Sequence, residues 1–371
     1  MIYIHVPFCK CRCIYCDFYS TTLGKEIRKK YVETLCDELS CRKDYLPNRL
    51  IKTVYFGGGT PSQLSVCEIK TIIDCIHSTY DVAQNAEITF EANPDDITPE
   101  FVNGLINLGI NRVSLGVQTF NDALLKLLHR RHTAEQARKA VYLLKNGGFE
   151  NISIDLIYGL PQQTLNMFAA DLTDAFSLPI THLSSYALTI ENGTPLHKMI
   201  EENKLQIADE DSFVAEYEAL MEAASNAGFE HYEISNFALP EYYSRHNSAY
   251  WDGTHYLGCG PGAHSYDGKS RRYNLPDINA YISQCPNIPH ETEPLSAEAQ
   301  FNERVFTSLR TQKGLDLEQL KKDFAPSWCE NLMAAAQRHL EGGRLKQNGH
   351  FMALTQKGYF VSDDVMSDLM I

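Results

Sequence analysis

The chain lacks several features that would assign it to a class at once. It has no run of about 18 apolar residues and no basic segment followed by an apolar one at its start, so neither a membrane-spanning helix nor an export signal is predicted. No low-complexity tract or short repeat occurs. A basic excess is missing too, and the net charge of −14 argues against extended contact with nucleic acid. We therefore expect a soluble, cytoplasmic protein that acts on a small molecule or binds other proteins.

Cysteine, in contrast, is plentiful. Eleven cysteines without an export signal indicate a reducing compartment and cofactor ligation, not disulfides. The length of 371 residues and the 44% hydrophobic content suffice for one large α/β domain and a smaller one.

Four of the cysteines lie within eight residues, directly after a short apolar strand. The spacing C-x3-C-x2-C selects Cys9, Cys13 and Cys16. Three thiolates on one loop can hold three irons of a cubane iron–sulfur cluster, which normally has four thiolate ligands. The fourth iron would then stay open to a substrate or cosubstrate.

Other interpretations of this loop exist. Zinc sites usually draw on two well-separated pairs of ligands, which a single crowded loop fits poorly. Structural thiols or a disulfide are further alternatives. Cys11 lies between the selected positions and is interpreted as a spare thiol. Because it could replace one of the three selected cysteines, a second choice of three ligands stays open.

Strand-like and helix-like segments alternate along the first half of the chain. This alternation predicts an α/β fold with a parallel sheet and outer helices, either as an open six-stranded sheet or as a partial (β/α)6 barrel. In both, function is expected at the carboxyl ends of the strands. The predicted strands span residues 2–6, 53–56, 87–91, 112–117, 152–157 and 183–188, and the clearest helices span 27–39, 69–79, 133–146 and 165–176.

Polar or glycine-rich segments follow the first five predicted strands. Singly, a glycine-rich loop is an ordinary tight turn and a polar side chain an ordinary cap. Arg130 and Arg131 could likewise lie at a solvated helix end. Together at one rim, these segments predict a cofactor pocket. They are the cysteine loop, the loop at 57–61, the segment 91–94 with Glu91, the segment 116–118 with Gln118, and Asp155 with the loop at 158–161.

These motifs resemble the radical S-adenosylmethionine (SAM) superfamily, and more closely its oxygen-independent coproporphyrinogen III oxidase branch. The resemblance covers nearly the whole chain. It implies a four-iron cluster whose open iron binds the amino and carboxylate groups of SAM, and SAM cleavage to a 5′-deoxyadenosyl radical and methionine. Whether this chain is itself an enzyme is left open.

The resemblance also implies a SAM-binding role for individual residues. The backbone at Gly58, Gly59 and Thr60 would hold the ammonium end of methionine, with Glu91 beside it. A guanidinium suits the SAM carboxylate, and acceptor groups suit its ammonium and ribose hydroxyls. The further assignments are Arg130 to the carboxylate, Gln118 and Asp155 to the ribose, Tyr15 to the adenine and Tyr3 to the pocket; those of Glu91, Gln118 and Asp155 could be exchanged.

Three differences separate this chain from the oxidase itself. The oxidase has a fourth cysteine where this chain has Phe18, and it carries an N-terminal extension, whereas the first cysteine here is residue 9. The segment 246–251 also contains H-N-x-x-Y-W, which resembles the HemW-type heme chaperones. These proteins are similar to the oxidase in sequence but deliver heme to acceptor proteins.

The H-N-x-x-Y-W segment suggests a heme site. A neutral imidazole is a common axial donor, so His246 is the first candidate, and Tyr250 and Trp251 could pack against a porphyrin face. The alternative is that the two aromatic residues anchor the core while His246 forms a hydrogen bond. His264 and Cys259 are rival ligands.

The C-terminal part is predicted to be a separate module. Helices at 297–309, 316–324 and 326–340, a hairpin at 344–354 and a last helix resemble a winged helix. It lacks a basic excess, so we expect a lid or a partner-docking surface rather than DNA binding. The predicted domains are a radical SAM core (1–230), an extension with H-N-x-x-Y-W (231–293) and the C-terminal module (294–371).

Two functional classes remain. The first is a heme chaperone with a [4Fe-4S] cluster, SAM and heme that delivers heme to acceptor proteins. The second is a radical SAM enzyme that converts coproporphyrinogen III to protoporphyrinogen IX or acts on another substrate. Respiratory acceptors, transient contact with a membrane surface through such partners, and a homodimer are left open.

Overall fold

Six parallel strands alternate with helices in the first half of the computed structural model, which describes residues 1–371. The predicted α/β architecture is confirmed. The ends of the predicted elements differ, and the structure adds two short helices at 99–107 and 122–127 that the sequence analysis did not name. The elements are β1 (Ile2–Val6), α1 (Lys25–Cys41), β2 (Leu50–Gly58), α2 (Val66–Thr79), β3 (Asp81–Ala92), α3 (Pro99–Asn107), β4 (Arg112–Gln118), α4 (Asp122–Leu127), α5 (Ala134–Gly147), β5 (Asn151–Tyr158), α6 (Leu165–Ser177) and β6 (His182–Ala187).

The two faces of β4 show why these segments form strands. Val113, Leu115 and Val117 are 0% exposed and belong to the main hydrophobic core. The alternate positions are polar or small, and Arg112 and Gln118 line a cavity. Because side chains alternate across a strand, one face of the sheet packs against helices while the other supplies polar groups.

The segment after β6 extends the sheet at both edges, which the sequence did not predict. The strand β8 (Asn236–Ala238) pairs antiparallel with β6, and β9 (Leu257–Cys259) pairs parallel with β1. With β7 (Glu230–Glu233) at one edge, the strand order is β7-β8-β6-β5-β4-β3-β2-β1-β9. Three more strands form a small separate sheet. The elements are α7 (Pro195–Glu201), α8 (Glu210–Asn226), β7 (Glu230–Glu233), β8 (Asn236–Ala238), α9 (Arg245–Trp251), β9 (Leu257–Cys259), β10 (His264–Tyr266), β11 (Ser270–Asn274), α10 (Ile278–Ser283) and β12 (His290–Pro294).

The C-terminal module has a hydrophobic core of its own, formed by 15 buried residues. Its predicted three helices and hairpin are confirmed, but the expected last helix is two short ones. The elements are α11 (Ala297–Leu309), β13 (Leu315–Asp316), α12 (Leu317–Asp323), α13 (Pro326–Glu341), β14 (Leu345–Asn348), β15 (Phe351–Leu354), α14 (Gln356–Tyr359) and α15 (Ser362–Asp368). None of the helices combines the length and the apolar composition that crossing a membrane requires.

Candidate cofactor site

A cavity of about 540 Å³ lies at the carboxyl ends of the parallel strands, where the fold places ligand sites. We call it the cofactor cavity. The residues predicted to hold the cluster and SAM, apart from Tyr3, all line it: Cys9, Cys13, Tyr15, Cys16, Gly58, Gly59, Thr60, Glu91, Gln118, Arg130 and Asp155. The structure thus brings together residues from five strand ends that are up to 146 positions apart in the sequence.

The cysteine loop is held at its base and at its tip. The amide of Cys9 donates to the carbonyl of Thr21 at 2.9 Å, and the amide of Thr21 donates back to the carbonyl of Pro7. At the tip, the side chain of Ile14 is buried in a small apolar cluster, and its amide donates to the carbonyl of Leu128 at 3.3 Å. The backbone of the loop is therefore positioned by the protein itself.

The three selected thiols face the cofactor cavity and are free, as are all eleven cysteines. Cys9 Sγ lies 3.4 Å from Thr60 Oγ1, and a guanidinium nitrogen of Arg130 donates to Cys13 Sγ at 3.4 Å. Burial raises the pKa of Cys9, and it raises that of Cys16 to about 11. An iron that accepts the thiolates would offset this cost, because metal coordination deprotonates a thiol.

The donor set fits a cubane cluster. Three soft thiolates from one loop, beside a cation, are suited to iron–sulfur ligation. No three His, Cys, Asp or Glu side chains converge on a point where one ion could be held. A cubane does not require this, since each thiolate binds a different iron. Cys11 is exposed and its Sγ donates to the carbonyl of His129 at 3.7 Å.

The glycine-rich loop after β2 packs closely against β1. A Cβ at Gly58, where φ is +110°, would lie 2.7 Å from the ring of His5. A Cβ at Gly59 would lie 2.9 Å from the backbone of Pro7. Only glycine allows this approach, which leaves the loop backbone exposed to a ligand beside the cysteine loop.

Two carboxylates form the acidic side of the cavity. Burial raises the pKa of Glu91 to about 7; the hydroxyl of Tyr55, which donates to Glu91 at 2.7 Å, opposes this shift and the nearby Asp155 adds to it. Burial also raises the pKa of Asp155, which accepts from Ser114 at 3.1 Å. A cationic ligand such as an ammonium would favour the charged form of both groups.

Arg130 and Arg131 have different surroundings, although both line the cavity. Arg130 donates to Cys13 Sγ and to the carbonyl of Gly116. Arg131 is instead paired with Asp95 and Asp96, each at 2.9 Å. Because the charge of Arg131 is already neutralised, Arg130 is the better partner for an anionic ligand.

The end of β4 is irregular where it meets the cavity. The register with β5 shifts between Gly116 and Gln118, and Gln118 has a φ of 72°. Such a conformation is uncommon for a residue with a side chain and occurs preferentially at functional sites. It turns the strand end so that Gln118 lines the cavity.

Tyr3 and His246 lie outside the cofactor cavity, one layer behind Tyr55. The ring of Tyr3 stacks on that of Tyr55 with centroids 6.1 Å apart, and its hydroxyl lies 3.2 Å from His5 Nδ1. His246 lies on α9, and the centroid of its ring is 5.0 Å from that of Tyr55 on β2. Neither residue contacts the interior of the cavity directly.

His246 is enclosed. It is 1% exposed, its Nδ1 lies 2.8 Å from Thr53 Oγ1, and its Nε2 lies 3.3 Å from the hydroxyl of Tyr250. Burial lowers its pKa to about 3. Both ring nitrogens are thus engaged: the contact with Thr53 fixes α9 on β2, and the contact with Tyr250 lies within α9. The rival ligand Cys259 is 0% exposed, whereas His264 is exposed.

Comparison with known proteins assigns the family. The model of the radical SAM superfamily matches residues 3–175, and that of the HemN C-terminal domain matches 295–361. A protein of Lactococcus lactis named heme chaperone HemW is 35% identical over 371 residues, covering 100% of this chain and 97% of the relative. The chain belongs to the HemW family. A HemW of Bacillus subtilis is 33% identical over 370 residues, covering 98% of this chain and 97% of that protein.

A solved structure shows the same fold as this HemW-family chain. Coproporphyrinogen III oxidase (HemN) from Escherichia coli, a radical SAM enzyme, superimposes with a TM-score of 0.85 over 100% of this chain and 89% of the oxidase, at 22% identity. At the position where the oxidase branch is expected to have a fourth cysteine, Phe18 is 64% exposed at the mouth of the cofactor cavity.

The sequence did not reveal every residue of the cavity wall. Tyr55, Asn93 and Tyr186 also line it, as does Arg112, which is 1% exposed and has no hydrogen-bond partner for its Nε and Nη1. The signal was present: polar or small residues recur at every second position of β4, beginning with Arg112. Alternation of this kind marks the inward face of a strand whose other face is apolar.

Proposed function

We propose that this protein is a heme chaperone that binds a [4Fe-4S] cluster, SAM and heme, and transfers the heme to acceptor proteins. The observation that supports it most is the cofactor cavity, in which three thiols of one loop meet Arg130 and Glu91 in a chain of the HemW family. Relatives that align along the whole chain carry the name heme chaperone. We place this activity in the cytoplasm.

The chain's own groups suit the cluster and SAM. Cys9, Cys13 and Cys16 would hold the cluster, which supplies an electron to SAM when bound. Arg130 would pair with the SAM carboxylate, and Glu91 with its ammonium. Gln118 and Asp155 would accept from the ribose hydroxyls, while Tyr15 would contact the adenine.

One sample tests the proposal. The protein is reconstituted anaerobically with iron and sulfide, divided, titrated with SAM and with heme, and assayed with coproporphyrinogen III and a reductant. We expect a cluster, SAM binding and one heme for each chain, without protoporphyrinogen. Transfer is followed by mixing the heme-loaded protein with a heme-free acceptor hemoprotein. Absence of heme binding would overturn the proposal, and protoporphyrinogen formation would favour the oxidase reaction.

A further inference from the structure

A second cavity, of about 560 Å³, lies between α9, the small sheet and α11 of the C-terminal module. Aromatic side chains form much of its wall, and we call it the aromatic cavity. Its aromatic residues are Tyr250, Trp251, Tyr256, Tyr266, Phe306 and Phe324. Its volume falls in the range of about 300–1,000 Å³ that is usual for small-molecule sites.

The rings in this wall contact one another at their edges and are held in place. Tyr256 meets Tyr250 edge-on at 4.8 Å, and the backbones of Tyr256 and Tyr266 exchange two hydrogen bonds of 2.9 Å. His246 lies on the far side of Tyr250, and its Nε2 is 3.3 Å from the hydroxyl of Tyr250. Such a wall suits a flat, largely apolar ligand.

The cavity is also lined by an imidazole without a hydrogen-bond partner. His255 forms an edge-on contact with Tyr266 at 5.8 Å, and its Nε2 edge packs against the turn at Gly268, where a Cβ would lie 2.4 Å from Nε2. Its side chain is half-buried, and its one hydrogen bond beyond the regular backbone is accepted by its carbonyl, so Nδ1 is the ring nitrogen left for a ligand. It is the one histidine among the residues that line this cavity.

Two arginines line the same cavity. Arg271 lies over the ring of Tyr266 at 5.2 Å and donates to Glu303 at 2.8 Å, so part of its charge is offset. Arg304 is paired with Asp323 at 3.3 Å, and both side chains are about a third exposed. A partly exposed ion pair of this kind contributes little stability, so Arg304 can exchange its partner for a carboxylate of a ligand.

We infer that the aromatic cavity is the heme site, with His255 as the axial ligand and Arg304, assisted by Arg271, as the partner of the propionates. The combination of an aromatic wall, one imidazole with an unpartnered Nδ1 and two guanidinium groups in the lining matches the parts of heme. This inference rests on the proposed function. His246 then acts as a positioning residue, since it supports Tyr250 from behind and offers no free nitrogen.

The test uses the full chain and hemin. We expect wild-type protein to bind one hemin with the spectrum of an imidazole-ligated iron. His255→Ala should change the absorption and electron paramagnetic resonance signature of the iron, and Arg304→Ala should weaken binding roughly tenfold, as the loss of a charge-assisted pair predicts. Thr307→Trp, which places a large ring in the cavity, should abolish binding. His77→Ala, at an exposed site on α2, serves as the control.

Folding is checked separately by cluster reconstitution and SAM binding, which all four variants should retain. Hemin binding by the wild type with unchanged affinity and spectrum in both His255→Ala and Thr307→Trp would overturn the site while leaving the proposed function intact. Loss of the imidazole signature in His246→Ala but not in His255→Ala would also overturn it. Absence of hemin binding by the wild type would instead remove the proposed function.

Discussion

The cofactor cavity and the aromatic cavity are separated by α9, which contributes Asn247 to the first and Tyr250 and Trp251 to the second. The cofactor cavity is built from strand ends and encloses ionisable groups, so burial shifts the pKa of Glu91 and of Cys16. Aromatic rings form much of the wall of the other cavity.

The two cavities also differ in how their residues are supplied. The cofactor cavity collects one short motif from each of several consecutive strands, because parallel strands present their carboxyl ends at the same rim. The aromatic cavity is assembled from three segments, 250–256, 266–271 and 300–307, that belong to the extension and the C-terminal module, and from Phe324. The short helix α9, which carries the H-N-x-x-Y-W segment, therefore forms a wall between two sites of different chemistry.

The largest expected effect is complete loss of the cluster from the cofactor cavity while the aromatic cavity still binds hemin. Cys9→Ala, Cys13→Ala and Cys16→Ala should each lose the visible absorbance of the reconstituted cluster, because three thiolates are the minimum for three irons. Hemin binding should persist in all three, since the aromatic cavity is untouched. Cys11→Ala is the control and should keep the cluster. Retention of the cluster in Cys13→Ala together with its loss in Cys11→Ala would assign a different set of ligands.

A second prediction concerns the cost of the buried carboxylate. The folded pKa of Glu91 is about 7 and its ordinary value is 4.5, so the unfolded chain loses this proton first as the pH rises. Wild-type stability should therefore fall between about pH 4.5 and pH 7 through this group. Glu91→Gln removes the dependence, so its free energy of unfolding relative to wild type should rise by about 3 kcal/mol over that window.

Chemical denaturation of the apoprotein at pH 4.5 and pH 8 measures this difference. Glu218→Gln, at an exposed position of α8, is the matched control and should show a constant difference. If the free energies of unfolding of Glu91→Gln and wild type also differed by the same amount at pH 4.5 and pH 8, Glu91 would be ionised in the folded protein without cost. SAM binding should weaken in Glu91→Gln, because the carboxylate would no longer meet the ammonium.

Arg130→Ala should weaken SAM binding by roughly tenfold or more, since a charge-assisted pair contributes about 1.5–3 kcal/mol. Arg131→Ala is the adjacent control, and its effect should be smaller because Asp95 and Asp96 already occupy that guanidinium. Calorimetric titration of the reconstituted proteins gives both affinities. A strong effect in Arg131→Ala and none in Arg130→Ala would exchange the two roles.

The smallest expected effect concerns α9 itself. His246→Gln should lower the free energy of unfolding by about 1 kcal/mol, the usual contribution of one hydrogen bond, because glutamine can replace only part of the contacts with Thr53 and Tyr250. The iron signature of bound hemin should stay unchanged. Loss of the imidazole ligand in this variant would move the heme from the aromatic cavity to His246.

The sequence alone determined the alternation of strands and helices, the cysteine loop and the polar strand ends, because each depends on local spacing or on a period of two or 3.6 residues. From these the family and most of the wall of the cofactor cavity could be predicted. Arg112 was missed although its strand alternates regularly, since a buried cation at the start of a strand has no short motif.

Only the tertiary structure decided the surroundings of the H-N-x-x-Y-W segment. The spacing of His246, Tyr250 and Trp251 is the same whether the imidazole faces a ligand or the core. Packing of α9 on β2 places His246 against Thr53, and the edge pairing of β9 with β1 brings His255 and the C-terminal module to the other side of Tyr250. These contacts join residues far apart in the chain, so no local pattern encodes them. They place His246 in the core and the half-buried His255 in the wall of the aromatic cavity.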